Sequence, residues 1–211
     1  MKKIILSLCL LAFLLIGTFT VSASSTGHDE YYEIIFTDSG KAELLINLSN
    51  TRRENMIKQV KRKAFGWSSY CEIRDEKVLC TGETIFSRSN LTKDSYKFNY
   101  KLVTTTTSET SYSLTGDLKG KISGKIKKIT PSLDLSIKGT KKKTEKNTST
   151  ETTNFAIDIQ PNTKVSLVVM VDGLLSRGAS KFYIFGIPFY KGAWEYIEPV
   201  RRYYELREEI I

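Results

Sequence analysis

A long run of strict alternation constrains this chain more than anything else in it. From Tyr96 to Ile126 the even positions read Tyr96, Phe98, Tyr100, Leu102, Thr104, Thr106, Ser108, Thr110, Tyr112, Leu114, Gly116, Leu118, Gly120, Ile122, Gly124 and Ile126. The odd positions are nearly all Lys, Asn, Ser, Thr, Asp or Glu, with Val103 the exception. Side chains of a strand point to opposite faces with period two, so the pattern predicts one long two-faced strand. Ile129-Thr130-Pro131-Ser132 breaks it. Alternation resumes on odd positions at Leu133, Leu135, Ile137 and Gly139 and returns at Phe155, Ile157 and Ile159.

The change of parity predicts a hairpin with its tip near Lys127 to Ser132. Pairing Ile126 with Leu133 makes every pair of positions sum to 259, sets Gly124 opposite Leu135 and Ile122 opposite Ile137, and brings Thr104–Tyr112 against Asn147–Phe155. Both of those tracts are rich in Ser and Thr, which pair well across strands. Globular strands seldom exceed about 10 residues, so a strand this long needs a reason. One reading is a bent strand that serves two sheets, or two strands joined at Ser108-Glu109. The other is a hairpin that lines a membrane barrel, for which about 9–11 alternating residues suffice. Leu114 to Ile126 supplies them.

Residues 1–23 read as a secretory signal: Lys2 and Lys3, an apolar run from Ile4 to Ile16, and a small-residue cleavage site at Val21-Ser22-Ala23. The expectation is a protein secreted after cleavage near Ala23. Removing Lys2 and Lys3 from the 32 Lys+Arg leaves 30 against 23 Asp+Glu, a net charge near +7. An exported basic chain meets anionic surfaces, and no nucleic-acid-binding motif is present. Cys71 and Cys80 lie where a hairpin over Trp67–Thr81, turning at Asp75-Glu76, would place them directly across from one another. In an oxidising compartment that predicts a Cys71–Cys80 disulfide.

Elsewhere, Tyr31–Phe36 and Ala42–Leu48 read as strands. Thr51–Phe65 reads as a short basic helix capped by Thr51, with Glu54 at the capping-box spacing. Its narrow apolar face is Met56, Val60 and Phe65. Val165–Val171 reads as a strand buried on both faces, followed by a turn at Asp172-Gly173. The aromatic density from Lys181 to Tyr204 fits a core and its rim, or an interfacial belt or glycan-binding face. Pro199 is placed to open a terminal helix over Val200–Glu209, a strand being the alternative. The fold class is therefore mainly β with minor α content, an elongated antiparallel protein. Four units are expected: the signal over 1–23, a head over 24–95, a long hairpin and sheet over 96–175, and an aromatic segment over 176–211.

Catalytic signatures are lacking. There is no phosphate-cradling glycine loop, nucleophile elbow or metal-ligand spacing. The single His28 lies just beyond the cleavage point, in a segment expected to be mobile. No enzymatic activity, cofactor or metal is expected.

The tracts Thr104-Thr105-Thr106-Thr107-Ser108-Glu109-Thr110 and Thr148-Ser149-Thr150-Glu151-Thr152-Thr153, the Gly/Leu/Ile alternation between them, and the strand-turn-strand Ile157–Val165 together resemble the aerolysin-type β-pore-forming proteins. The likeness is to the epsilon-toxin and mosquitocidal-toxin branch and covers about residues 80–171. It implies a protein released soluble that binds membrane lipid or a surface receptor, forms a homo-oligomer and donates one hairpin per subunit to a barrel. The lipid face would be Leu114, Gly116, Leu118, Gly120, Ile122, Gly124, Ile126, Leu133, Leu135 and Ile137. Lys119, Lys121, Lys125 and Lys127 would line the lumen. In the expected register Lys141 falls opposite Leu118, and a lysine facing lipid at mid-bilayer costs about 2–4 kcal/mol. The alternative function is a secreted β-sandwich binding protein or adhesin, or an inhibitor or immunity protein, without pore activity.

Overall fold

The computed structural model describes residues 26–38, 43–107, 110–123, 128–138 and 148–211. The signal over 1–23 therefore lies outside the described residues. The chain is mainly β and its sheets are antiparallel. Three strands carry it: β2 (Gly66–Asn90), β8 (Thr163–Ile184) and β9 (Ile187–Ile210). At 22 to 25 residues each, they extend about 70–80 Å at roughly 3.3 Å per residue. With β1 (Glu33–Phe36) and β4 (Ser111–Leu114) on the edges, they form a five-stranded sheet in the order β1-β2-β8-β9-β4. Strands from the head, the hairpin segment and the aromatic segment share this one sheet.

β8 holds it together. Its apolar run is buried as expected, with Val165, Leu167, Val168, Val169, Met170 and Val171 all within the core. The strand does not turn at Asp172-Gly173. That pair is a register shift against β9, and β8 continues to Ile184. The expected hairpin over 67–81 is likewise one uninterrupted strand, because β8 offers β2 a partner along its whole length. Asp75 takes the positive φ of a turn residue (54°), but within a bulge, where its N–H donates to Ser176 Oγ at 3.0 Å. Cys71 pairs with Gly178 and Cys80 with Val171, seven residues apart along β8. That is about 23 Å, far beyond disulfide reach. Both thiols are free.

A basic helix does form, but shorter than expected. α1 covers Asn50–Gln59 and is capped by Ser49, whose Oγ accepts from Arg52 N at 3.2 Å, rather than by Thr51. Met56, Ile57 and Val60 pack over Ala179 and Ala193 of the sheet, whereas Phe65 is exposed. Instead of a strand, 44–48 holds a 3-10 turn over Leu45–Asn47; Ala42 lies outside the described residues. The terminal helix over Val200–Glu209 is also not formed. Those residues complete β9, and Pro199, which cannot donate to a ladder, sits beside the register shift at Gly173.

β3 (Tyr96–Thr107) and β7 (Thr148–Ile159) form a separate two-stranded ribbon. Its apolar face, Phe98, Tyr100, Leu102, Phe155 and Ile157, stacks on Phe86, Val165 and Leu167 at one end of the main sheet. The Ser/Thr tracts do face each other, from Thr104 with Glu151 to Thr107 with Thr148. The register, however, pairs Tyr96 with Ile159, so positions sum to 255 and not 259. Asn90 sets it. Its buried Nδ2 donates to Asp94 O and to Ile159 O, both at 2.9 Å, tying the entry of β3 to the end of β7. A shift of four is even, so the parity of the two faces is unchanged.

Candidate functional site

The alternating segment between the two arms of this ribbon does not continue as a strand. It folds down onto the other end of the main sheet. β4 pairs Ser111–Leu114 with Ile197–Trp194 of β9. Gly116, at a φ of 61°, begins a 3-10 turn over Gly116–Lys121. β5 (Ile122–Ser123) pairs with β6 (Lys128–Ile129), Ile122 opposite Ile129. α2 (Pro131–Lys138) replaces the strand expected from Leu133 to Gly139. Positions 133 and 137 share a face at either period, so the apolar pattern could not separate strand from helix. Pro131 at the first helical position favours the helix. Leu135, inward in a strand, lies outward on α2 and is 44% exposed.

Leu114, Leu118, Leu133 and Ile137 are buried together against Trp67, Tyr112, Trp194 and Tyr196. Polar ties join the same elements. Tyr112 OH donates to Asp134 Oδ1 at 2.6 Å, and Ser69 and Ser136 hydroxyls meet at 2.7 Å. Lys138 Nζ reaches Asp134 and Thr110 and lies over the Tyr112 and Tyr196 rings. Burial, reinforced by Asp134, raises the Tyr112 phenol well above its usual value. Gly192 permits the close approach, since a Cβ there would meet Thr115 O and the Leu118 side chain.

Of the residues expected on a lipid face, the structure thus gathers Leu114, Leu118, Leu133 and Ile137 into one buried cluster. Gly116 and Gly120 lie in the 3-10 turn and Ile122 in β5. Lys119 is exposed, and Lys121 ends the same turn. Gly124, Lys125, Ile126, Lys127, Gly139, Lys141 and Lys143 lie outside the described residues.

A second constellation went unread in the sequence. His28, expected in a segment at the free end of the chain, is buried. Its Nε2 lies 3.2 Å from Glu195 Oε1 and its Nδ1 3.0 Å from Ser111 Oγ. A carboxylate only accepts, so Nε2 carries a proton. The other Glu195 oxygen accepts Leu45 N–H at 3.0 Å and lies 3.7 Å from Arg177 Nη1. Arg177 donates to Glu72 Oε2 at 2.9 Å and to the Glu43 carbonyl. His28, Arg177 and Glu195 are each at most 2% exposed. A hydrolytic triad puts its serine on the imidazole Nε2; here the serine is on Nδ1, and with Arg52 Nε of α1 donating to Glu72 Oε1 at 3.3 Å the network ties α1 and the strap of residues 26–32 to the sheet. The signals were a lone Arg177 inside Leu174–Ala179 and a lone Glu195 between Trp194 and Tyr196. Their partners, far apart in sequence, could not be seen.

Among the described residues no helix is long and apolar enough to cross a membrane, and no group of three or more His, Cys, Asp or Glu is placed to hold a metal ion. No protein-family model matches the chain, and no curated protein matches it.

Proposed function

We propose that this chain is a secreted, aerolysin-like β-pore-forming protein. It binds a membrane, oligomerises, and inserts the segment between β3 and β7 as one hairpin of a β-barrel. The reading assigns it no catalytic chemistry.

What carries the reading is the β3–β7 register. Continued into the intervening segment, pairs summing to 255 set Leu118 opposite Ile137, Gly120 opposite Leu135, Ile122 opposite Leu133 and Ile126 opposite Ile129, closing on Lys127-Lys128. From Gly116 to Ile126 and from Ile129 to Gly139 one face then holds only Gly, Leu, Ile and Pro131. Each arm offers about 11 residues, the length a tilted transmembrane strand needs. Lys141 moves from Leu118 to Leu114, four residues toward the base, where a lysine can reach the interface and costs about 0–1 kcal/mol. Pro131 forfeits one ladder hydrogen bond near the tip.

The opposite face of this hairpin is wholly polar: Asp117, Lys119, Lys121, Ser123, Lys125 and Lys127 on one arm, Lys128, Thr130, Ser132, Asp134, Ser136 and Lys138 on the other. Six lysines against two aspartates per subunit make a cationic lumen. The buried cluster supports the other half of the mechanism. Before insertion it hides Leu114, Leu118, Leu133 and Ile137, which would otherwise form a sticky exposed strand. In lipid, barrel closure satisfies the backbone groups. Dye release from liposomes together with a heat-resistant oligomer is the test. A protein that binds membranes yet neither oligomerises nor releases dye is a binding protein, and the reading falls.

A further inference from the structure

The segment following α1 and the β8–β9 turn meet at one end of the sheet. Gly186 N donates to Ala64 O and Arg62 Nε to Gly186 O, both at 2.8 Å, and the Phe65 and Phe185 rings meet edge-on at 4.7 Å. Phe185 is 77% exposed, and Phe65, Ile187 and Phe189 are each more than half exposed. These apolar side chains are open to solvent.

The turn backbone itself disfavours Phe185, whose ring contact is with the exposed Phe65. Ile184 pairs with Ile187, so Phe185 and Gly186 are a two-residue turn, with φ of 49° and 74°. Such turns favour Asn, Asp or Gly, whose backbones tolerate positive φ. A bulky aromatic there is an outlier, and strain at an exposed tip points toward function.

The charges around it point the same way. Residues 60–66 and 181–191 carry Lys61, Arg62, Lys63, Lys181 and Lys191 and no Asp or Glu. Lys181 lies directly across from Lys191 in the β8–β9 ladder, a like-charge pair that a sheet disfavours. Arg62 and Lys181 line a concavity of about 500 Å³ with Val60, Tyr183 and Pro188. Asp117, in the 3-10 turn, accepts the Lys191 backbone N–H at 3.1 Å.

We infer that this tip docks on a phospholipid surface bearing anionic headgroups. Phe185 and its neighbours enter the boundary between headgroups and acyl chains, and the five cations meet the phosphates. Exposed rings at a turn tip suit a deformable interface better than a rigid partner. Arg62 and Lys181 flank the space for one headgroup. The inference deepens the membrane-binding part of the proposed function and requires no hairpin insertion.

The test is co-sedimentation of the mature chain with vesicles of phosphatidylcholine alone and of phosphatidylcholine with phosphatidylserine, at low and high salt. The chain is expected to sediment with the anionic vesicles and to be released by salt. Phe185→Asn should weaken binding about ten- to a hundredfold while its thermal midpoint stays level or rises, because Asn suits the turn. Lys181→Glu should also weaken binding without loss of stability, since it replaces a like-charge pair by an opposite one. Tyr32→Ser, at an exposed site in the strap that precedes β1, should bind as wild type. Equal binding to both vesicle types, no binding to either, or full binding by Phe185→Asn would overturn the inference, as would binding that needs a cell-surface protein or glycan. Dye release read in the same samples separates the two proposals. Anionic binding without release leaves the tip standing and removes the pore.

Discussion

Insertion requires α2 to leave β2, and a covalent tie between them should prevent it. Ser69 Oγ on β2 and Ser136 Oγ on α2 are 2.7 Å apart, so cysteines at both positions can reach disulfide geometry. Native Cys71, two residues along the same face, is first changed to Ser so that it does not compete. The crosslink spans 67 residues of sequence. The chain-entropy relation then gives about 4 kcal/mol of stabilisation, roughly a thousandfold in the undocked population. Full extension of the hairpin is also barred outright. The assay is release of a trapped dye from liposomes by oxidised Ser69→Cys/Ser136→Cys, with disulfide formation verified by mass. Release should fall to background and return on reduction, while vesicle binding through the Phe185 tip continues. Release by the oxidised protein at the wild-type rate would refute the reasoning, because the folded-down segment would then have no part in permeabilisation.

Four other outcomes are expected. Replacing Lys119, Lys121, Lys125 and Lys127 together by Glu should turn an anion-preferring pore into a cation-preferring one; an unchanged sign of the reversal potential in planar bilayers would put the lumen elsewhere. Arg177→Ala leaves Glu195 buried beside His28 without its guanidinium and should cost about 3–5 kcal/mol in urea unfolding, a loss below about 1 kcal/mol showing that the network matters little. Burial pushes the Cys80 thiol up to about 12 and raises the half-buried Cys71 thiol as well, but only Cys80 is fully enclosed, so a thiol reagent should label Cys71 slowly in the folded protein and Cys80 only on unfolding; reagent-resistant thiols in the unfolded, unreduced chain would signal a disulfide. The raised pKa values of Cys80, Tyr31 and Tyr112 mean that folding keeps these groups protonated where the unfolded chain ionises, near 9 for the thiol and 10 for the phenols. That stability is fully present below pH 9 and drains away as pH rises, so the denaturation midpoint should drop across this window; a flat profile would count against the burial of these groups.

Much of the architecture was legible because period two is a local property. The two faces of β3 and β7, the facing Ser/Thr tracts, the buried run Val165–Val171 and the basic helix followed from side-chain order alone. Other readings failed where two local patterns coincide. Leu133 and Ile137 share a face in strand and helix alike, and Asp75 adopts turn geometry in a bulge as readily as in a hairpin. The Cys71–Cys80 pairing failed with that hairpin. Of the candidate site, the sequence named the apolar residues but not where they are stored, because Trp67 and Trp194 reach them across the sheet.

By itself, then, the order of side chains determined that the chain is antiparallel β with one segment greasy on one side and lysine-rich on the other, since alternation depends only on neighbours. The tertiary structure alone decided the register, through Asn90 reaching Ile159. It also decided the single long β2, through a full-length partner in β8, and the burial of His28 beside Glu195 and Ser111. Each of those choices rests on a contact between residues far apart in the chain, whose partners no local pattern specifies.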